Sequence, residues 1–145
     1  MSLVRGHVHV NELFDLFYEN KFEEAYSQCD KFSSFSMIHA HGKAFLSFLY
    51  ALLTLEKEYI EKGVKDLEES LNFASKHRKS KSIVESVTSF WWKPDASKYT
   101  DEELHAELIY AECNIMLGLL TFFGDQSILS LLKGAIKMTT ANSGL

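Results

Sequence analysis

The sequence has very few of the residues that usually break a chain into short elements. It holds one proline and seven glycines in 145 residues. An all-β sandwich needs many turns built from these residues, so their scarcity favours a helical chain. Cysteine is also scarce, because Cys29 and Cys113 are the only two. Two cysteines are too few for a disulfide framework and fit no paired metal-ligand spacing, so we expect reduced thiols in a cytosolic or nuclear protein.

Positive charge and long apolar runs are lacking as well. Fifteen Lys and Arg residues face twenty Asp and Glu, a net charge of −5, which argues against a nucleic-acid partner. The one basic run, Lys76–Lys81, is interpreted as a solvated helix end. No apolar signal-peptide core precedes the first helical pattern. The runs Ala44–Leu55 and Leu108–Phe123 do not reach the roughly 20 apolar residues of a membrane span, so no transmembrane segment is expected.

Apolar residues recur at helical spacing along most of the chain. The pattern predicts six helices, paired into antiparallel hairpins over about residues 9–33, 36–78 and 101–138. Residues 79–100 form an irregular linker in this interpretation. The predicted fold is all-α, with helical hairpins stacked in a row as in a fragment of an α-solenoid, and residues 1–145 form a single domain.

Several short signals place the helix ends. Thr100 with Glu103 is the pattern of a capping box at a helix start. Ser36 is a candidate N-cap, and Gly124 a helix stop. Asn20–Ala25 reads as a turn between helices, in which the small Ala25 lets two helices pack closely. We expect Gly63 to have the same role in the second hairpin.

Residues 20–25, Asn-Lys-Phe-Glu-Glu-Ala, resemble the inter-helix turn of a tetratricopeptide repeat. A more specific resemblance lies at His105–Leu108, Tyr110–Cys113 and Leu120–Phe122. These segments are similar to the tetratricopeptide repeat protein 39 family, which includes the yeast inclusion-body-clearance protein. Shorter matches extend it at Ser36-Met37, His39-Ala40, Lys133-Gly134 and Ile136-Lys137. This resemblance covers about residues 12–138. It implies the N-terminal portion of a cytoplasmic, non-enzymatic, repeat-built interaction protein, in a family with some members linked to lipid handling and lipid droplets.

The stretch 105–125 places polar groups in an apolar helix. On a helical wheel Glu112 shares a stripe with His105, and so do Met116, Leu119 and Phe123. His105 and Glu112 are about 10.5 Å apart along the axis, too far to ligate one ion without a third element. Cys113 points away from His105 on this wheel. We therefore predict that Glu112 and His105 are structural polar groups at a helix–helix seam, with a Lys, Tyr or backbone donor satisfying Glu112.

The remaining candidates are two histidine pairs and a tryptophan pair. His7 with His9, and His39 with His41, put their imidazoles on different helix faces, which favours structural roles over a metal site. Trp91 and Trp92 precede the only proline. They are interpreted as a packed cover over a repeat end, or as a contact for a protein partner or a membrane surface.

The leading functional interpretation is a non-enzymatic interaction module, an adaptor or scaffold that binds a protein partner. No catalytic motif, metal set or cofactor site is present, so no enzyme is predicted and no cofactor is expected. The alternative is a carrier or sensor of an apolar ligand such as a lipid, since eleven phenylalanines could line a cavity. A homodimer through the last hairpin is a further possibility, with Leu129, Leu132 and Ile136 at the pairing face.

Overall fold

The structure is a computed structural model that describes residues 3–79, 98–125, 130 and 138. Within these residues the chain forms five helices and no strand. They are α1 (Leu3–Tyr18), α2 (Phe22–Ser33), α3 (Met37–Thr54), α4 (Lys57–His77) and α5 (Asp101–Gly124). The predicted all-α fold of packed neighbouring helices is confirmed. Most of the predicted linker and sixth helix lies outside the described residues, so the division into three hairpins stays a prediction.

Tight turns force consecutive helices back alongside each other. Asn20 adopts a left-handed conformation between α1 and α2, with a φ of 63°. Asparagine tolerates this region better than most residues, and the Lys21 amide donates to the Leu16 carbonyl at 2.9 Å to close the turn. Leu55 is also left-handed, with a φ of 53°, and ends α3. Since only two or three residues separate consecutive helices from α1 to α4, these neighbours form helical hairpins.

The central helix is α3, which packs against all four other helices. Small residues let its neighbours approach. A Cβ built at Gly42 would lie 3.0 Å from Val10 on α1 and 3.3 Å from the Cys29 Sγ on α2. Ala25, the small residue of the predicted turn motif, is fully buried beside Cys29. The first three helices therefore cross closely where the sequence has glycine and alanine.

Gly63 provides the matching close approach between α4, α3 and α5. A Cβ at this position would lie 2.9 Å from Leu120 Cδ1 and 3.4 Å from the Ser47 carbonyl oxygen. The close-packing role predicted for Gly63 is thus confirmed. Its missing side chain leaves the space that Leu120, itself fully buried, occupies.

Enlarging Ala25 tests the first of these crossings. We expect Ala25→Leu to lower the free energy of unfolding by about 1–3 kcal/mol, because the added atoms overpack a site with no free space. Urea denaturation measures this change. Ala111→Leu, at an exposed position of α5, is the matched control and should leave the midpoint nearly unchanged. Equal midpoints for Ala25→Leu and the parent would disprove the close crossing.

The start of α5 follows its sequence signal. The Thr100 hydroxyl accepts from the Glu103 amide at 3.2 Å, and the Thr100 amide donates to the Glu103 carboxylate at 2.9 Å. Both halves of the predicted capping box are present. Ser36 does precede α3, but its hydroxyl contacts the His39 ring at 2.8 Å instead of capping the backbone.

The buried face of α5 differs from the predicted one. It consists of Ala106, Ile109, Cys113, Met116 and Leu120. This face is centred about 60° around the helix axis from His105, at 100° per residue. The wheel was wrong for Leu119, which is 41% exposed, whereas Cys113, on the side away from His105, is fully buried. The Leu120 side chain fills the space left by Gly63, and this packing accounts for the 60° difference between the buried face of α5 and the predicted one.

Candidate functional site

A groove lies between α2 and α4, with α3 as its floor. At one end is an open pocket of about 390 Å³ including its mouth. The pocket is lined by Phe17, Phe22, Glu23, Tyr26, Leu46, Ser47, Tyr50, Tyr59 and Lys62. A second recess, about 520 Å³ including its mouth, is lined by Ser33, Ser34, Ala40, Lys43, Asp66, Glu69 and Phe73. Helices α1 to α4 supply these side chains, except for Ser34, which directly follows α2.

Aromatic rings form most of the first pocket. The Phe22 and Tyr50 ring centres are 5.7 Å apart, and the Tyr50 and Tyr59 rings meet edge to face at 4.6 Å. The Lys62 ammonium lies over the Tyr26 ring, 3.8 Å from its centre. Such rings offer both apolar area and negative π faces, and the position of Lys62 shows that a cation fits against one of them.

A buried ionic network separates the two recesses. Asp66 is 4% exposed and accepts hydrogen bonds from the Tyr26 hydroxyl at 3.0 Å and the Ser47 hydroxyl at 2.5 Å. The Lys43 ammonium lies 3.2 Å from its other carboxylate oxygen. The same ammonium contacts Asp30 and Glu69, each at 3.0 Å. This network joins α2, α3 and α4, and it holds the walls of the groove at a fixed separation.

The network keeps its two titratable donors, Tyr26 and Lys43, protonated. Burial raises the pKa of the Tyr26 phenol, and the Asp66 charge raises it further. Burial alone would lower the pKa of Lys43, but hydrogen bonds to Glu69 and Asp30, together with the Asp66 charge, outweigh it and raise the pKa. Lys43 is therefore an ammonium across the physiological pH range.

Sequence reasoning missed this network. Lys43 is the one charged residue in the apolar α3, and the same argument that singled out Glu112 in α5 applies to it. An isolated charge in an apolar helix needs a buried partner. That signal would have identified Lys43, although not its three carboxylates, which come from two other helices.

Glu112 and His105 lie at the seam where α5 meets α3 and α1. The Glu112 carboxylate is 3.0 Å from His41 Nε2, and its side chain is 45% exposed. The His105 ring meets the His7 ring edge to face, with centres 4.4 Å apart. The residue facing Glu112 is thus a histidine, where the sequence suggested a Lys, Tyr or backbone donor. Cys113 lies beside this pair, with its Sγ 3.9 Å from His41 Nδ1.

His9 and His39 form a second histidine contact between helices, with His9 Nδ1 2.8 Å from His39 Nε2. The two imidazoles of each sequence pair, His7 with His9 and His39 with His41, therefore contact different neighbours. Because one nitrogen of the His9–His39 contact must donate and the other accept, at least one of these two rings is neutral. Among residues 3–79 and 98–125, no three His, Cys, Asp or Glu side chains are close enough to hold a metal ion.

These contacts predict a loss of stability in mild acid. Burial lowers the pKa values of His39, His41 and His105 from the ordinary value of 6.5, and the facing His9 lowers that of His39 further. The unfolded chain therefore binds more protons, and stability that is complete above pH 6.5 is lost as the pH falls through the folded values. Thermal melts from pH 7.5 to 5 measure this loss.

A matched pair of histidine variants isolates the contribution of His39. His39→Gln should flatten the pH dependence of the melting temperature below pH 6.5. His77→Gln removes a histidine of α4 that lies outside the His9–His39 contact, and it should retain more of the parent's dependence than His39→Gln. Equal slopes for the two variants would contradict the assignment of the acid sensitivity to the His39 contact.

Trp91 and Trp92, the predicted partner contact, lie outside the described residues, so that interpretation stays a prediction. The described surface has another apolar feature on α5. One side of this helix exposes Leu104, Leu108, Ile115, Leu119 and Phe122. By length and composition α5 could also cross a membrane, a test that core helices of soluble proteins pass too.

The fold and this groove define a class, the helical-repeat proteins whose stacked hairpins present a surface for other molecules. The profile of the family described as Iml2/Tetratricopeptide repeat protein 39 matches residues 12–144. The chain belongs to this family, as its resemblance implied. It is 36% identical over 126 residues to "Tetratricopeptide repeat protein ttc-39B" of Caenorhabditis elegans, covering 87% of this chain and 22% of that relative. No solved structure matches the chain.

Proposed function

We propose that this chain is a non-enzymatic adaptor or scaffold module that holds a segment of a protein partner in the groove between α2 and α4. The observation that carries the proposal is the aromatic-lined pocket at one end of the groove. Tyrosine and phenylalanine are among the residues enriched at protein interfaces, because they supply large contact area at little entropic cost. Membership of a tetratricopeptide repeat family supports a role in protein interaction.

The charge of the groove supports a basic partner segment. Four carboxylates, those of Glu23, Asp30, Asp66 and Glu69, face two ammonium groups along its length. The groove therefore has an excess of negative charge, and the chain as a whole has a net charge of −5. Complementary charge raises association rates and excludes acidic competitors. Both cysteines are free and buried, which suits the cytoplasmic location that we propose for this module.

The apolar-ligand alternative receives less support. Phe45 and Phe48, two of the phenylalanines proposed to line a cavity, pack with Phe14 in and around the core. The pocket between α2 and α4 carries tyrosine hydroxyls, a serine, a glutamate and a lysine, a lining better suited to a peptide than to a hydrocarbon. Lipid mass retained in native mass spectrometry of the tag-free chain would revive the alternative.

Selection from a random peptide library tests the proposed function. We expect the parent chain to enrich basic peptides, and each peptide to bind Glu23→Lys several-fold more weakly in fluorescence anisotropy. Glu12→Lys makes the same charge change on α1, at an exposed position that does not line the groove, and should bind like the parent. Failure to enrich peptides, or equal weakening by both variants, would refute binding in the groove.

A further inference from the structure

We propose that the aromatic pocket receives a side-chain cation of the partner, which displaces Lys62 from the face of Tyr26. This inference rests on the proposed function and specifies the chemistry at one point of the groove. The cation is one carried on an apolar stem, the guanidinium of arginine or a methylated ammonium of lysine. Both are more weakly hydrated than an unmodified ammonium, so both lose less on leaving water.

The first argument is that the pocket already holds a cation by its π face. Lys62 Nζ lies 3.8 Å from the Tyr26 ring centre, well inside the roughly 6 Å range of a cation–π contact. Lys62 is exposed, and within the described residues no carboxylate lies at ion-pair distance from it. An unpaired, exposed lysine can move into solvent at little cost. The ring that it covers is then free for another cation.

The second argument is that the receiving ring is fixed. The Tyr26 hydroxyl is anchored to Asp66, which is itself held by Ser47 and Lys43. Donation of the phenol hydrogen to the Asp66 carboxylate also raises the electron density of the ring, which strengthens the attraction of its face for a cation. Lys43 also approaches the Tyr26 ring, but it is 5.9 Å from the centre and bound to three carboxylates, so it is not displaced.

The third argument is that further rings stand beside Tyr26. Tyr50 and Tyr59 line the same pocket and meet edge to face at an interplanar angle of 79°. They extend the aromatic lining of the pocket beyond the ring that Lys62 covers. The Glu23 carboxylate also lines the pocket and supplies charge for an incoming cation. Tyr26, Tyr50, Tyr59 and Glu23 together form the aromatic cage that we propose.

Titration with small cations, followed by NMR of the isotopically labelled chain, tests this inference. The probes are tetramethylammonium chloride and methylguanidinium chloride, with sodium chloride as the control for ionic strength. We expect saturable shifts at the Tyr26, Tyr50 and Tyr59 rings and at Lys62. Whether one probe or the other binds more tightly distinguishes methylated lysine from arginine. Shifts that follow sodium chloride for both probes would overturn the inference.

Variants make the result specific to the pocket. Lys62→Met removes the competing cation and should tighten binding about two- to fivefold. Lys65→Met, which removes the same charge one turn later at another exposed position of α4, should bind like the parent. Tyr59→Leu should weaken binding, and Tyr26→Phe, which keeps the ring but loses the hydrogen bond that fixes it, should weaken binding to a smaller extent. Equal tightening by both lysine variants would show a general charge effect and refute displacement of Lys62.

The two proposals fail separately. Peptides that bind the groove in a Glu23-dependent way, without any cation-specific shift in the pocket, would leave the proposed function standing and refute the cage. Cation binding without peptide binding would support the cage chemistry and refute the groove as a protein-binding site.

Discussion

Lys43→Met is expected to lower the free energy of unfolding by about 3–5 kcal/mol, because it leaves the buried Asp66 carboxylate without a counter-charge. Asp66 is 4% exposed and would keep only the hydroxyls of Tyr26 and Ser47. The other two carboxylates around Lys43 lose less, since the side chains of Asp30 and Glu69 are 53% and 51% exposed and remain hydrated. Urea denaturation followed by circular dichroism measures the loss.

Two further variants isolate the buried charge as the cause. Lys43→Met combined with Asp66→Asn should recover most of the lost stability, because the amide is neutral and its oxygen still accepts from Tyr26 and Ser47. Lys57→Met removes an exposed lysine that pairs with Glu61 at 3.6 Å, and should change stability by no more than about 0.5 kcal/mol. A double variant as unstable as Lys43→Met alone would contradict this account.

Leu120→Ala is the second large effect, with an expected loss of about 2–5 kcal/mol. Leu120 is fully buried and fills the space above Gly63 where α5 meets α4. Truncation removes apolar contacts and leaves a cavity that the two close-packed helices can only partly close. Leu119→Ala is the matched control, because Leu119 is 41% exposed, and its loss should stay within about 1 kcal/mol.

The contact with Gly63 makes this prediction sharper. A Cβ at Gly63 would lie 2.9 Å from Leu120 Cδ1, so Gly63→Ala is expected to destabilise the parent chain. In the Leu120→Ala background that atom is absent, and Gly63→Ala should cost less or even stabilise α4, where alanine is favoured over glycine by about 1 kcal/mol. Additive effects of the two substitutions would mean that Leu120 does not face Gly63, and would contradict the orientation of α5 described above.

Local signals in the sequence predicted the helices well. The capping box at Thr100 and the turn at Asn20 act through neighbouring backbone groups, so residue types a few positions apart identify them. The close crossing at Gly63 follows from one small residue in an apolar pattern. These features need no knowledge of what packs on them, and all of them are present in the structure.

Features that depend on the neighbouring helix were harder to predict. Helical periodicity in α5 offered two overlapping apolar stripes, and only the space above Gly63 decides that Leu120 is buried and Leu119 exposed. The groove has the same difficulty, because Tyr26, Lys43 and Asp66 come from three helices and no spacing in the sequence links them. Ionic and aromatic sites of this kind are set by tertiary packing.

The most direct test of a protein-binding groove is a map of backbone amide shifts in the NMR spectrum of the labelled chain, titrated with a peptide selected from the library. We predict shifts along α2, α4 and the facing side of α3, including Tyr26, Ser47 and Lys62, with little change on α5. Shifts along the exposed side of α5, from Leu104 to Phe122, with an unchanged groove would contradict the account and place the binding surface on that helix.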